Sequence, residues 1–81
     1  MRRSVLFVCR GNICRSPLAQ AVFEHEVRAR GLTKIFYCDS RGTHGDQIGK
    51  GADPRAQMVA TMHGLDLSSH RAHQIRLKDF A

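Results

Sequence analysis

An apolar run of strand length, Ser4-Val-Leu-Phe-Val-Cys9, leads into the loop Arg10–Arg15 and then into Ser16-Pro17. This order constrains the fold more than any other feature of the chain. The run is β-branched and aromatic without polar alternation, as expected of a strand covered on both faces in a parallel sheet. Serine is a good N-cap and proline suits the first helical position, so Ser16-Pro17 should open a helix. That helix is expected to reach about Arg30, with Leu18, Ala21, Val22 and His25 on one stripe and Gly31 as its stop. Ile35–Asp39 reads as a second strand, and the Gly-rich polar stretch Ser40–Ala52 as a loop. Asp53-Pro54 repeats the cap-plus-proline signal and opens a helix to about His63, with Met58, Val59 and Met62 turned to the core. Ser69 is placed to cap a short helical turn, and Lys78–Ala81 to begin another. The resulting order, β-loop-α-β-loop-α, implies right-handed crossovers and a parallel sheet. Two strands are few for such a sheet, and their edges call for a partner.

Eighty-one residues make one small domain, at the lower end of what a single core stabilises. The chain shows no internal repeat or low-complexity tract. No apolar run approaches the roughly 18 residues of a membrane helix, and Arg2-Arg3 with its short apolar run lacks the h-region and cleavage site of a signal peptide. The expectation is a cytoplasmic protein without membrane contact. Three cysteines, Cys9, Cys14 and Cys38, suit cytosolic thiols better than a disulfide scaffold. The net charge is +6, and ten of the thirteen basic residues are arginine. That balance favours an anionic ligand, and arginine favours bidentate phosphate contacts.

The chemistry concentrates in Cys9-Arg-Gly-Asn-Ile-Cys-Arg-Ser16, a Cys-x5-Arg-Ser pattern between a strand's carboxyl end and a helix N-terminus. Ligands of open α/β sheets bind at such ends. The backbone N–H groups of Arg10, Gly11, Asn12, Ile13, Cys14 and Arg15 can converge on an anion, and the helix dipole adds to their potential. Gly11 lets the backbone turn, and Asn12 tolerates a left-handed conformation. Arg15 is placed to grip phosphate oxygens through paired hydrogen bonds. Cys9, at the base, should have a lowered pKa, helped by the Ser16 hydroxyl. A thiolate beneath a bound phosphate is positioned to attack phosphorus.

Val5-Leu-Phe-Val-Cys-Arg-Gly-Asn-Ile-Cys-Arg-Ser-Pro-Leu-Ala-Gln-Ala-Val-Phe23 resembles the opening of the low-molecular-weight protein tyrosine phosphatases. The resemblance continues through Asp39-Ser-Arg-Gly-Thr43, Ala52-Asp-Pro-Arg-Ala-Gln57, His63-Gly-Leu-Asp-Leu67 and Ser69-His-Arg-Ala-His-Gln-Ile75. It implies part of a flavodoxin-like α/β fold whose full form has a four-stranded parallel sheet with helices on both faces. Residues 1–81 would be a single phosphatase-like domain, truncated and completed by self-association, with a homodimer as the expected assembly. It implies that Cys9 is the nucleophile, Arg15 the phosphate binder and Ser16 the group that lowers the thiolate's pKa. Asn12, Ser40 and His70 match positions that hold the loop's shape, and Cys14 a second loop cysteine able to pair reversibly with Cys9 on oxidation. The expected substrate is a phosphotyrosyl protein or aryl phosphate, with inorganic phosphate as a ligand and no cofactor.

The resemblance also implies a general-acid Asp in a later loop, which no residue here matches, so reduced activity is expected. Asp53-Pro54 has the right dipeptide at a different family position, a helix start. Asp46 stands where the family usually has an aromatic residue at the pocket rim; Asp46 and Asp79 are weak candidates for a substitute acid. Arg41 replaces a usually small residue and would add positive potential, while His73 replaces a frequent arginine. His63, His70, His73, Cys38 and His44 lack metal-site spacing, so no metal is expected. Without interleaved aromatic and basic residues, nucleic-acid binding is not expected either. Two other functions fit the same loop: a phosphate- or phosphopeptide-binding module without turnover, and an arsenate reductase-like enzyme with Cys14 as the resolving thiol.

Overall fold

A computed structural model describes residues 2–80. Its elements are β1 (Arg3–Cys9), α1 (Arg15–Ala29), β2 (Phe36–Gly42), α2 (Pro54–Met62) and a 3-10 turn at Leu77–Phe80. β1 and β2 pair in parallel from Arg3↔Phe36 to Cys9↔Gly42, so the chain is α/β with α1 as the crossover between neighbouring strands. Three aromatic rings tie the helix to the sheet: Phe7 meets Phe23 at 5.7 Å and Phe23 meets Phe36 at 5.8 Å between centroids, both edge-on. Val27 and Cys38 are buried beside them. A second cluster of Ala52, Ala56, Ala60 and Leu67 packs against Leu18, Ala21 and Leu65, joining α2 to α1.

Several expectations shift in the folded chain. The first helix begins at Arg15 with Cys14 as its N-cap, two residues before the expected start. The Ser16 hydroxyl is held by the loop instead of capping, and Pro17 falls at the third helical position, where an intrahelical N–H is not yet required. β2 runs three residues beyond Asp39, because Cys38, Ser40 and Gly42 alternate onto the buried face. Met58, Val59 and Met62 are exposed, not core. Ala56 and Ala60 carry α2's contact instead, their small side chains letting the helices approach closely. Of the expected stripe on α1, Leu18 and Ala21 pack inward while Val22 and His25 are exposed. β1 is only half-buried, short of the coverage on both faces expected of it; α1 packs on it through Phe7 and Phe23, and β2 is its one partner strand among the described residues. Ser69 lies in a turn without a helix, and the last helical turn begins at Leu77; Ala81 lies outside the described residues. Asp53 caps α2 as expected, its Oδ1 accepting from the Arg55 N–H at 2.8 Å.

Candidate active site

Cys9 ends β1, and the next five residues wrap over the carboxyl end of the sheet before α1 begins. The loop's carbonyl groups are engaged from outside. Cys9 O accepts from the Thr43 N–H at 2.8 Å, Arg10 O from His44 at 2.9 Å, and Ile13 O from Asp53 at 2.7 Å. Cys14 O accepts from the Leu18 N–H, and Asn12 O from His70 Nε2–H at 2.6 Å. With these carbonyls engaged away from the sulfur, loop N–H groups are left to face it and any anion above it. The Asn12 N–H already donates to Cys9 Sγ at 3.3 Å.

Asn12 organises this shape. It takes the left-handed φ of 59°, while Gly11 does not, so the turn's unusual conformation falls on asparagine, one of the few non-glycine residues that accept it. Its side chain is fully buried. Oδ1 accepts from the His73 N–H at 2.9 Å, and Nδ2 donates to Ser16 Oγ at 2.8 Å. That donation occupies a lone pair of the Ser16 hydroxyl and leaves its single hydrogen for an acceptor. Two acceptors are at hand: Cys9 Sγ at 3.0 Å and the Arg41 carbonyl at 3.5 Å. The nearer sulfur is favoured when it is a thiolate. Burial pushes the Cys9 pKa up, but hydrogen bonds from the Ser16 hydroxyl and from the backbone N–H groups of Ser16, Asn12 and Gly11 outweigh it, and the net shift is downward. Cys38 behaves oppositely. Burial first, then the Glu24 carboxylate 3.6 Å away, raises its pKa to about 12, so it remains a thiol.

The remaining residues take distinct positions. Arg10, Cys14 and Arg15 are exposed around the loop, Arg15 as the first residue of α1, and Ile13 is half-buried. All three cysteines are free. Ser40 is buried in β2, yet its Oγ has no hydrogen-bond partner among the described residues. Arg41 adds little free positive charge: Asp39 holds it at 2.8 Å and Asp79 at 3.4 Å. Asp79 also accepts from the Arg76 N–H and Asp66 from the Ser68 N–H, so these carboxylates are committed to local structure. Asp46 is exposed in the 43–49 segment, next to Gln47, whose side chain packs by Gly11. His70 Nε2 and His73 Nδ1 both donate to backbone carbonyls. No group of three metal-ligating side chains occurs among the described residues, and no described helix is long and apolar enough to cross a membrane.

One site residue escaped the sequence reading. A Cβ on Gly42 would sit 2.8 Å from Arg10 O, 2.9 Å from Gly11 C and 3.0 Å from Asn12 N. The loop is pressed directly onto this strand residue. Gly42 also exchanges hydrogen bonds with His73 and Ile75, which brings the 73–75 segment alongside. A glycine between strand-forming residues is a recognised sign of such an approach, but the sequence there also reads as a loop.

The family profile for low molecular weight phosphotyrosine protein phosphatase matches residues 4–81. A human protein of that name is 47% identical over 79 residues, covering 98% of this chain and 49% of its own. The low molecular weight protein-tyrosine-phosphatase of Streptomyces coelicolor is 47% identical over 81 residues, all of this chain and 49% of its own. The crystal structure of YfkJ from Bacillus subtilis superposes with a TM-score of 0.93 at 37% identity, over 98% of this chain and 50% of that one. The chain thus spans about half the length of the curated relatives it matches.

Proposed function

The chain belongs to the low molecular weight phosphotyrosine protein phosphatase family, and from that premise we propose that it hydrolyses aryl phosphates, phosphotyrosyl proteins among them, through a phosphocysteine at Cys9. The observation that carries this reading is Ser16 Oγ at 3.0 Å from Cys9 Sγ, with Asn12 behind it. In the first step the thiolate forms an S–P bond as the P–O bond to the leaving group breaks. In the second, water attacks phosphorus, the S–P bond breaks and inorganic phosphate leaves. Loop N–H groups and the Arg15 guanidinium stabilise the equatorial oxygens, and Ser16 stabilises the departing thiolate. Arg10, Gly11, Ile13 and Cys14 contribute backbone to the phosphate cradle. His70 holds the cradle through the Asn12 carbonyl, and Ser40 supports it by packing. Cys14 is the partner for reversible oxidation of Cys9. Free thiols in these roles suit a reducing cytosol.

Proton supply to the leaving group is the weak point. Asp39, Asp53, Asp66 and Asp79 each accept backbone N–H groups elsewhere, which leaves the exposed Asp46 on the 43–49 segment as an unanchored candidate. With no better-placed carboxylic acid, the 81-residue chain should act well below the rate of an enzyme that has one, by roughly 10²–10⁴. The test is hydrolysis of p-nitrophenyl phosphate, whose leaving group needs no proton, beside phosphotyrosine, with Cys9→Ser as control. Turnover of the first that disappears in the variant supports the reading. Phosphate binding that survives Cys9→Ser in a folded chain without turnover would instead make it a binding module.

A further inference from the structure

The stretch from Thr43 to Gln47 builds a wall beside the Cys9 loop. Its first two N–H groups donate to the Cys9 and Arg10 carbonyls at 2.8 and 2.9 Å. Its far end returns over the loop, where a Cβ on Gly11 would sit 3.2 Å from Gln47 Cγ. His44 lies between these two anchors with its side chain exposed. Its Nδ1 is 2.8 Å from Thr43 Oγ1, and its Nε2 has no partner among the described residues. The other histidines are placed differently. His70 Nε2 and His73 Nδ1 are spent on backbone carbonyls, while His25 is on α1 and His63 ends α2. The carboxylate on the same wall, Asp46, accepts from Gln47 Nε2 at 3.4 Å. His44 is thus the histidine beside the loop with a ring nitrogen to spare. An imidazole both gives and takes a proton near neutral pH, which an ordinary exposed carboxyl group does not.

We infer that His44, oriented by Thr43, carries the proton for the reaction at Cys9. The inference rests on the phosphocysteine reading and goes past it to the leaving group. In the imidazolium both ring nitrogens are donors, so the 2.8 Å contact is an Nδ1–H donation to Thr43 Oγ1 and the Nε2–H is left for the substrate. As the P–O bond breaks, Nε2–H gives its proton to the departing phenolic oxygen. The emptied Nε2 then takes a proton from the water that attacks phosphorus, as the S–P bond breaks, and the imidazolium is restored. Thr43 holds the ring through both steps. Threonine at 43 is a positioning residue, since its hydroxyl acts on the ring and not on the substrate.

The test compares kcat/KM for phosphotyrosine and for p-nitrophenyl phosphate in the wild-type chain, His44→Ala and Thr43→Val, each checked for fold by circular dichroism. His44→Ala should lower the phosphotyrosine value about tenfold, short of the 10²–10⁴ of a fully enclosed acid. The p-nitrophenyl phosphate value should fall much less, because that leaving group needs no proton. Imidazole added to the buffer should restore part of the loss in His44→Ala and none of the activity in Cys9→Ser. Thr43→Val should fall between wild type and His44→Ala. Equal losses on both substrates, no loss on either, or a loss that imidazole leaves untouched would overturn the inference. A second measurement needs no turnover. Inorganic phosphate added to the Cys9→Ser chain should shift the His44 ring signals in NMR spectra and leave those of His25 in place; unmoved His44 signals overturn the placement. A chain that turns over neither ester but shows the shift keeps His44 at the anion and loses the Cys9 reading.

Discussion

The Asn12 side chain accepts a hydrogen bond from the backbone N–H of His73, 61 positions further along the chain, at 2.9 Å. The same amide holds Ser16 through its other end. One buried side chain thus joins the C-terminal segment to the hydroxyl beside the candidate nucleophile.

Replacing Asn12 should be costly on two accounts. Asn12→Ala leaves the part-buried His73 N–H without its acceptor, a cost of about 1 kcal/mol. It also places alanine at φ 59°, a further cost of about 1–2 kcal/mol. Asn12→Gly should recover the second cost and not the first. Urea unfolding midpoints in the order wild type, Gly, Ala are expected; equal midpoints for Gly and Ala would remove the backbone contribution.

The lowered Cys9 pKa predicts thiolate chemistry below the ordinary thiol range, which is centred at 9.0. Alkylation by iodoacetamide should therefore rise with pH through an inflection below that value. In Ser16→Ala the inflection should move up and the rate near neutrality fall. Since the native pKa is the depressed one, thiolate formation favours the folded state at high pH, and this contribution fades as pH falls through the native value. Cys38 runs the other way. Its neutral thiol supports the fold below 9.0, and that support is lost as pH climbs toward about 12. Peptide mapping after brief native labelling should find Cys38 unmodified.

Gly42→Ala should disable the loop with little change in composition. The new methyl group meets backbone of Arg10, Gly11 and Asn12 at 2.8–3.0 Å, and backbone cannot swing aside as a side chain can. A displacement of about 1 Å near the reacting atoms costs on the order of 10²-fold in rate. Gly51→Ala, whose nearest neighbour is 3.6 Å away, serves as the comparison. Similar p-nitrophenyl phosphate rates in the two variants would refute the close-approach argument.

Ser40→Ala should be nearly neutral for stability. The Ser40 hydroxyl is buried without a partner among the described residues, so deleting it removes a desolvated polar group and breaks no bond. A change within about 1 kcal/mol, of either sign, is expected. A loss above about 2 kcal/mol in thermal unfolding would mean that the hydroxyl has a partner in solution.

Local signals made much of this molecule legible. The Cys9–Ser16 loop could be read because its residue types are demanding at close spacing, and α2 because its Asp53 cap is local; the start of α1 was misplaced because Ser16, a good cap by type, is drawn into the loop instead. Packing was less accessible. Met58, Val59 and Met62 are more hydrophobic than Ala56 and Ala60, yet the alanines face α1, because helix separation decides which side chains fit. The end of β2 was hidden because Ser40, Arg41 and Gly42 are poor strand formers on their own and are held there by Cys9, by the loop and by the 73–75 segment. Gly42's role depends on a backbone that passes over it from another part of the chain, and His73 acts through its main chain, which side-chain chemistry does not reveal.

The long reach from Asn12 to His70 and His73 also sets an order of events during synthesis. The ribosome delivers Cys9 early, but the groups that hold its loop lie 58 and 61 residues behind Asn12. Closing so large a loop carries an entropic cost that local contacts around Cys9 cannot offset in advance. Until that stretch has left the exit tunnel, the sulfur is an ordinary thiol on an unfinished strand. Its full setting is acquired only once His70 and His73 have been made and have folded back, so a nascent chain arrested before that point would bear Cys9, Asn12 and Ser16 without these ties.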